Sequence, residues 1–226
     1  MRVRLRYGSV VPESGILARG PWDPAAVSAR WRSEPYTPSA VVIAAADTAL
    51  AELRGRGSPS HDGLAARLHS YEQTEDGLTL DCEPVRWALR LLPGGAAQSL
   101  SALCVVRDAE GHWLAGRRAA WLATWARRWA LGAAGSVEVD ENPADTLVRE
   151  LHEEWSVAPE RLTVEALIRL PTQSTVLLGQ AWLAPGATVV PNDEHDEFAW
   201  WPQSPGQWPD HADEPLRLTA RLLGAV

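Results

Sequence analysis

Lysine is absent from this sequence, and cysteine occurs only twice. All 21 basic residues are arginine, against 29 acidic residues, which gives a formal net charge of −8. The phosphate backbone of a nucleic acid binds to basic surfaces, so this balance argues against nucleic acid as a partner. Cys82 and Cys104 lie far apart without metal-ligand spacing, and we expect them to be reduced, buried thiols.

Long hydrophobic runs are also missing. No stretch approaches the length of a membrane-spanning helix, and the N-terminus lacks the apolar core of a signal peptide. We therefore expect a cytoplasmic protein that does not bind membranes. With 226 residues, the chain is long enough to bury a sizeable core in one large domain or two small ones.

Residues 1–97 have a pattern of their own and contain no cluster of catalytic residue types. Proline and glycine interrupt the first thirty residues and predict irregular structure there. Residues 39–54 predict a helix, the Asp-Gly of residues 76–77 a hairpin, and residues 87–92 a short helix that the Pro-Gly-Gly of residues 93–95 ends. The apolar runs of this segment should pack on the rest of the chain or, in a homodimer, on a second copy. We expect an accessory α+β subdomain.

The most informative segment runs from Gly135 to Val157. Asn142 can cap the free N–H groups of a helix, and Pro143 suits the first helical position because its missing N–H would be unpaired there. Apolar residues then recur at helical spacing and predict one buried stripe, formed by Ala144, Leu147, Val148, Leu151 and Trp155. The segment therefore predicts a loop followed by an amphipathic helix.

Three carboxylates share another flank of this helix. Glu150, Glu153 and Glu154 fall within five residues, with no Lys or Arg between them. On an exposed helix such like charges repel by roughly a few tenths of a kcal/mol per pair. Mg²⁺ or Mn²⁺ turns this repulsion into binding, because both ions prefer carboxylate and carbonyl oxygen. A solvated acidic flank is the alternative, and spacing alone favours the metal site only slightly.

The acidic helix and the loop before it follow the pattern G-x5-E-x7-R-E-U-x-E-E-x-G-U, in which U is aliphatic. The matching positions begin at Gly135 and Glu141 and continue through residues 149–157. The segment resembles the Nudix box of the Nudix hydrolases at every fixed position except Ser156, where the family has Gly. Gly would relax a left-handed turn there, and Ser adopts that turn at a cost of about 1 kcal/mol or less. The departure concerns the turn and leaves the carboxylates intact.

The resemblance implies a fold and a reaction. The fold would be the Nudix α/β/α sandwich, a mixed sheet between helices, over residues 98–226. The reaction would be hydrolysis of a nucleoside diphosphate linked to another group, in which water attacks a phosphorus of the diphosphate. The implied cofactor is Mg²⁺ or Mn²⁺, because a polyanionic substrate must enter an acidic site. The implied partner is a small-molecule diphosphate.

The resemblance also implies roles for individual residues. Glu150 would be the candidate base, and Arg149 would orient the carboxylates by pairing with Glu141. The catalytic set would be Glu150, Glu154 and Arg149. The metal ligands would be the main-chain carbonyl of Gly135 and the carboxylates of Glu150, Glu153 and Glu154.

An acidic stretch after the box offers further ligands. Glu194, Glu197 and Trp200 resemble the stretch E-x-x-E-x-x-W, which often lies near here in the family and can supply an acidic residue to the site. Glu194 and Glu197 are therefore further candidate metal ligands. A solvated acidic loop explains the two residues equally well. His195 stands between them and could act as a base.

Tryptophan recurs with a spacing of four between residues 121 and 129. This spacing places the rings on one face of either a helix or a strand, so the periodicity does not decide between them. We favour core packing, and the alternative is a wall on which a flat substrate group stacks, with arginines near its phosphates. The substrate-binding candidates on this alternative are Arg117, Arg127, Arg128 and Trp129.

Two other functions fit the same fold. A Nudix-fold sensor or regulator binds a nucleotide-like ligand without hydrolysing it; an eroded box would indicate this function, but here every box carboxylate is present. Isomerisation of an allylic diphosphate uses a Cys and a Glu in the family, and neither Cys82 nor Cys104 lies in a matching motif. Nothing in the sequence distinguishes a nucleotide sugar from a dinucleotide, a nucleoside triphosphate or a non-nucleotide diphosphate.

Overall fold

The computed structural model describes the backbone of Val3–Arg6 and residues 15–59 and 62–224. Within these residues the helices are α1 Ala40–Gly55, α2 Pro143–Trp155 and α3 Glu214–Leu222. The strands, in chain order, are β1 Val3–Arg6, β2 Gly15–Trp22, β3 Val27–Trp31, β4 Leu64–Gln73, β5 Leu78–Arg86, β6 Leu100–Arg107, β7 Trp113–Arg118, β8 Trp129–Leu131, β9 Ala133–Ser136, β10 Arg161–Arg169, β11 Thr175–Trp182 and β12 His195–Trp201. No helix in the described part of the chain is long and apolar enough to cross a membrane.

The larger sheet is mixed and has the strand order β12-β7-β6-β11-β10-β2, with β8 paired to β7 and β9 paired to β6. Strands β6 and β11 run parallel over residues 100–107 and 175–182. The other pairs in this sheet are antiparallel. The box therefore begins in a strand, since β9 contains Gly135 and pairs with β6, an inner strand of the sheet.

Helices α2 and α3 cover opposite faces of this sheet. Successive residues of a strand point to opposite faces. In β6, Cys104 and Val106 belong to the core cluster that contains Leu147 of α2, whereas Val105 belongs to the cluster that contains Leu216 of α3. The sheet thus lies between helices, which confirms the predicted fold class.

The N-terminal segment forms a second sheet with the strand order β1-β4-β5-β3. Strands β4 and β5 are the hairpin that the Asp-Gly pair predicts, and α1 packs against the 3₁₀ turn Trp87–Leu91 around Leu50 and Leu89. Leu68 and Leu80 of this sheet lie in the same core cluster as α2. The segment therefore packs on the rest of the chain, and the division at residues 97 and 98 remains our proposal.

The prediction of irregular structure in the first thirty residues is wrong where the structure describes them. Residues 15–22 form β2 and residues 27–31 form β3. Strand β2 is the outermost strand on its side of the larger sheet. Pro21 is tolerated there because one side of an edge strand has no neighbouring strand, so the missing N–H of proline can lie on that side. Residues 7–14 lie outside the described residues.

Candidate active site

Helix α2 begins where the sequence predicts. The Asn142 side chain accepts a hydrogen bond from the Ala144 N–H at 3.3 Å and donates one to the Val27 carbonyl at 2.9 Å. It thus caps the helix and ties it to β3. Val148 is 39% exposed, because it lies beyond the edge of the apolar stripe, and its predicted burial is wrong. The other stripe residues are buried: Ala144, Leu147, Leu151 and Trp155.

The helix ends in the left-handed turn that the resemblance implies. Ser156 has φ 53° and ψ 35°, and its N–H donates to the His152 carbonyl at 2.9 Å. A side chain with a Cβ adopts this conformation at a small cost, whereas Gly adopts it freely. The substitution of the family's Gly therefore keeps the shape of the turn.

Arg149 holds three acidic side chains. Its Nε and Nη2 donate to the two oxygens of Glu141 at 2.8 and 3.1 Å. Its Nη1 donates to Glu150 at 2.8 Å and to Glu153 at 3.1 Å. Nη2 also donates to the Ser136 carbonyl at 3.1 Å. A planar guanidinium fixes the direction of each carboxylate that it binds. The expected pair of Arg149 and Glu141 is present and links the helix to the loop before it.

Glu150 lies directly against Gly135, the first residue of the box. A Cβ at residue 135 would stand 1.9 Å from Glu150 Oε1, so no other residue fits unless the carboxylate moves. Burial raises the pKa of Glu150 to about 7; the positive charge of Arg149 opposes this shift, and the charge of Glu154 adds to it. The Glu150 carboxylate therefore lies where additional positive charge would be stabilising.

Glu154 is buried one helical turn beyond Glu150. Its Oε1 accepts a hydrogen bond from the Ala134 N–H at 2.8 Å, and its Oε2 lies 2.7 Å from His195 Nε2. The His195 ring stacks on Trp155 with 4.3 Å between the ring centroids. His195, the base candidate of the acidic stretch, therefore uses one ring nitrogen to contact Glu154.

The structure separates the two glutamates of the acidic stretch. Glu194 lies 3.7 Å from Arg118, and its pKa is raised by burial first and then by the charge of Glu154. The Glu197 side chain is 57% exposed and lies 3.5 Å from Arg117, which also lies 4.0 Å from Asp196. Glu194 is thus close to the box carboxylates, whereas Glu197 is held by Arg117.

The remaining substrate candidates lie in the loop after β7 and in β8. Arg128 forms an ion pair with Asp213, Trp129 stacks on His211 with 4.8 Å between ring centroids, and Arg127 is exposed. Residues 121–128 form neither a helix nor a strand, so their spacing does not define one face. Within the described residues, none of these side chains bonds to a box carboxylate, and their role in substrate binding stays a prediction.

The box residues fit a hard divalent cation. Glu150 and Glu154 are buried, and they lie close enough for the charge of Glu154 to raise the pKa of Glu150. Keeping both carboxylates ionised is therefore costly. Gly135 leaves room for the Glu150 carboxylate beside the backbone. Oxygen donors of this kind are those that Mg²⁺ and Mn²⁺ prefer. The predicted ligand set, the Gly135 carbonyl and the carboxylates of Glu150, Glu153, Glu154, Glu194 and Glu197, stays a prediction.

A second group of potential ligands lies in the turn between β6 and β7. Ligand atoms of Asp108, Glu110 and His112 lie within 4.8 Å of one another. His112 Nδ1 is 2.7 Å from Asp108 Oδ2, and the His112 N–H donates to Asp108 Oδ1 at 2.7 Å. These bonds close the turn and account for the arrangement without an ion.

Two arginines that the sequence does not indicate also approach the box. Arg90 Nη1 donates to the Ser136 hydroxyl, next to Gly135. The Arg118 side chain is only 12% exposed and lies beside Glu194. Neither residue belongs to a motif, because tertiary packing alone brings them to the box.

Both cysteines are free and buried, as expected. Burial raises the pKa of Cys82 and of Cys104 to about 12, and nearby carboxylates add to both shifts. A thiol that is so hard to ionise is poorly suited to acid–base exchange. The structure therefore gives no support to the isomerase alternative.

Comparisons with known proteins identify the family. A model of the NUDIX domain matches residues 97–217. Solved structures that resemble the chain include a MutT protein from Methanosarcina mazei Go1, with 24% identity over 54% of this chain and 93% of that chain and a TM-score of 0.41. The NUDIX domain of Shewanella oneidensis NrtR, solved with ADP ribose, shows 20% identity over 55% of this chain and 87% of that one, with a TM-score of 0.44.

A C. elegans Ap4A hydrolase shows 16% identity over 55% of this chain and 95% of that one, also with a TM-score of 0.44. A search among curated proteins finds no match. The domain model covers more than half of the chain and includes the whole box, from Gly135 to Val157. The chain belongs to the Nudix family.

Proposed function

We propose that this chain is a Nudix-type pyrophosphohydrolase. Its substrate is a nucleoside diphosphate linked to another group, and water attacks a phosphorus of the diphosphate. The observation that carries the proposal is the pair of buried carboxylates, Glu150 and Glu154, one helical turn apart beside Gly135. Keeping two buried carboxylates ionised so close together is costly, and a bound cation would remove that cost.

The cation is Mg²⁺ or Mn²⁺, held by Glu150, Glu153 and Glu154 and by the carbonyl of Gly135. Glu194 is the acidic residue after the box that completes this set of ligands, because it lies close enough to Glu154 for that charge to raise its pKa. Glu197 is engaged by Arg117 instead. A divalent ion held by these residues would supply the positive charge that makes the attacking water more acidic and neutralises the charge that develops on the phosphate oxygens.

Residues of the chain itself accept the proton of the attacking water and hold the carboxylates in position. Arg149 contacts Oε1 of Glu150, so Oε2 of Glu150 is left to accept a proton from the attacking water. Arg149 keeps that carboxylate in place through its simultaneous bonds to Glu141 and to the Ser136 carbonyl. Glu154 is held from two sides, by the Ala134 N–H and by His195.

One observation favours the alternative of a sensor that binds a nucleotide-like ligand without hydrolysing it. Both oxygens of Glu154 already accept a hydrogen bond, which leaves each of them fewer lone pairs for an ion. A carboxylate oxygen can accept a hydrogen bond and still bind a metal. The site therefore fits a hydrolase better than a sensor. The two functions differ in turnover rather than in ligand binding.

The full-length protein can be tested against a nucleotide sugar, a dinucleotide, a nucleoside triphosphate and a non-nucleotide diphosphate. Release of phosphate-containing products is measured with Mg²⁺, with Mn²⁺ and with EDTA. We expect at least one compound to be hydrolysed, the reaction to stop in EDTA and to return when Mg²⁺ is added in excess. Tight binding of a compound by calorimetry, with no turnover of any compound under any condition, would support the sensor instead.

A further inference from the structure

Arg90 brings the N-terminal segment into contact with the box. It lies in the 3₁₀ turn Trp87–Leu91, before the residues that match the family's domain. Its Nη1 donates to the Ser136 hydroxyl, and the carbonyl of the same Ser136 accepts a bond from Arg149. The Arg90 guanidinium is therefore one residue away from both Gly135 and the clamp that holds Glu150.

Arg90 is partly buried, and the charge of Glu150 acts on it without a direct ion pair. In the described part of the chain, Arg90 forms no ion pair with a carboxylate; its contacts are Ser136 and the Trp87 ring, 5.5 Å from the guanidinium. Burial lowers the pKa of Arg90, the like charge of Arg118 lowers it further, and only Glu150 opposes. A partly desolvated guanidinium that no carboxylate contacts directly is costly to keep. An anion that binds between Arg90 and Arg118 would remove this cost.

A cavity with space for a ligand is lined in part by Arg90. A cavity of about 360 Å³ is lined by Arg90 and by the loop that follows it, which includes Pro93, Gly94 and Gly95. Its far wall is formed by Thr172 and Ser174, beside the start of β11. Volumes of roughly 300–1,000 Å³ are typical of small-molecule sites. Arg90 thus contacts the loop of the box through Ser136 and also lines an opening large enough for part of a small molecule.

We propose that Arg90 binds phosphate oxygens of the substrate, so that the N-terminal segment supplies a substrate-binding residue to the Nudix site. The group attached to that phosphate enters the cavity between residues 89–98 and the Thr172–Ser174 turn. This inference rests on the proposed function, because the phosphate must lie beside the box. Guanidinium suits the task, since it offers several N–H donors in one plane and stays charged.

A structural role is the competing explanation. Arg90 could serve only to hold the Ser136 hydroxyl and so fix the loop before α2. In that case its loss would disturb folding, cation binding and ligand binding together. If Arg90 serves the substrate, its loss affects phosphate binding alone, because a desolvated cation without a carboxylate adds little to stability.

Methylenediphosphonate, a diphosphate analogue whose bridge does not hydrolyse, separates these roles. Its binding to the full-length protein is measured by calorimetry with Mg²⁺ present, for the wild type, Arg90→Met, Arg90→Lys and the exposed control Arg56→Met. We expect Arg90→Met to bind about ten- to a hundredfold more weakly, the loss of a charge-assisted bond. Arg90→Lys should recover part of the affinity, and Arg56→Met should match the wild type. Mn²⁺ affinity without the analogue and the melting temperature should not fall in Arg90→Met.

The inference is overturned if Arg90→Met binds the analogue like the wild type, if it fails to fold, or if it loses Mn²⁺ affinity together with analogue affinity. A wild type that does not bind the analogue overturns it as well. Binding of the analogue requires no turnover, so the two proposals fail separately. Arg90-dependent binding without hydrolysis of any compound contradicts only the proposed function, whereas hydrolysis with unchanged binding in Arg90→Met contradicts only this inference.

Discussion

His195 and Glu154 form a hydrogen bond inside the protein, with 2.7 Å between Nε2 and Oε2 and side chains that are 0% and 3% exposed. The other ring nitrogen, Nδ1, is buried and has no partner among the described residues. It faces Gly116, where a Cβ would stand only 2.4 Å away. A proton on Nδ1 would be buried without an acceptor, so the contacts favour a proton on Nε2, which His195 donates to Glu154. We infer that His195 positions Glu154 rather than serving as a base.

This arrangement predicts different effects for two substitutions of His195. His195→Gln places an amide N–H near the position of Nε2 and should keep the bond to Glu154. His195→Phe keeps a ring against Trp155 but leaves Glu154 Oε2 without its donor, which should cost about 1–3 kcal/mol of unfolding free energy. Urea unfolding and Mn²⁺ titration measure both variants. Equal damage by Gln and Phe would show that the donated bond is not what matters.

Gly135→Ala tests the contact between the loop and Glu150. The new Cβ would stand 1.9 Å from Glu150 Oε1, so the carboxylate must move out of place. Because the displaced atoms are the end of a side chain, we expect unfolding free energy to fall by only about 1–2 kcal/mol, while Mn²⁺ affinity and turnover fall much further. Gly55→Ala, at a glycine with open space around its Cβ position, is the control. Wild-type Mn²⁺ affinity in Gly135→Ala would mean that Glu150 does not hold the ion.

Ser156→Gly should stabilise the protein by about 0.5–1 kcal/mol without changing its activity, because Gly adopts φ 53° without a Cβ. Ser156→Ala keeps the Cβ and should show no such gain. Thermal unfolding of the two variants and the wild type measures the difference. An equal gain in both variants would mean that the hydroxyl, and not the backbone conformation, sets the cost of Ser156.

The Glu141–Arg149 pair predicts a dependence of stability on pH. Burial, the largest single influence, raises the pKa of Glu141, but the hydrogen bonds from Arg149, the Glu138 N–H and Thr146 outweigh it, so the pKa lies below its usual 4.5. A carboxyl whose pKa is lower when folded contributes stability that is complete above its unfolded pKa and is lost as the pH falls through the folded pKa. Unfolding of the wild type and of Glu141→Gln should therefore differ by a constant amount from pH 7 to about pH 5 and converge below about pH 4.5. A difference that persists unchanged at about pH 3 would contradict this.

The box helix could be predicted because its signals are local. Asn142 and Pro143 mark its start, Ser156 marks the left-handed turn at its end, and the spacing of its carboxylates depends only on the helix itself. Val148 shows the limit of this reasoning, since an apolar residue at the edge of a stripe remains exposed. Local signals therefore predict where the acidic helix lies, but they do not predict which residues at the edge of its apolar stripe are buried.

Residues that reach the site from a distance left no such signal. Arg90 comes from a separate segment, and only the packing of α1, β4 and β5 brings it to Ser136. The separation of Glu194 from Glu197 depends on which arginine of β7 each residue meets across the sheet. Strand β2 joins the sheet of the other half of the chain, a pairing that no local pattern of Gly and Pro indicates.

The proposed metal-dependent hydrolysis depends on the buried carboxylates of α2. The most direct measurement is kcat for any compound that the wild type hydrolyses, in Glu154→Gln and in the exposed control Glu160→Gln. Glu154→Gln keeps the shape of the side chain and removes its charge, so kcat should fall on the order of 10²-fold or more, while Glu160→Gln matches the wild type. Folded Glu154→Gln that hydrolyses the compound at the wild-type rate would contradict the claim.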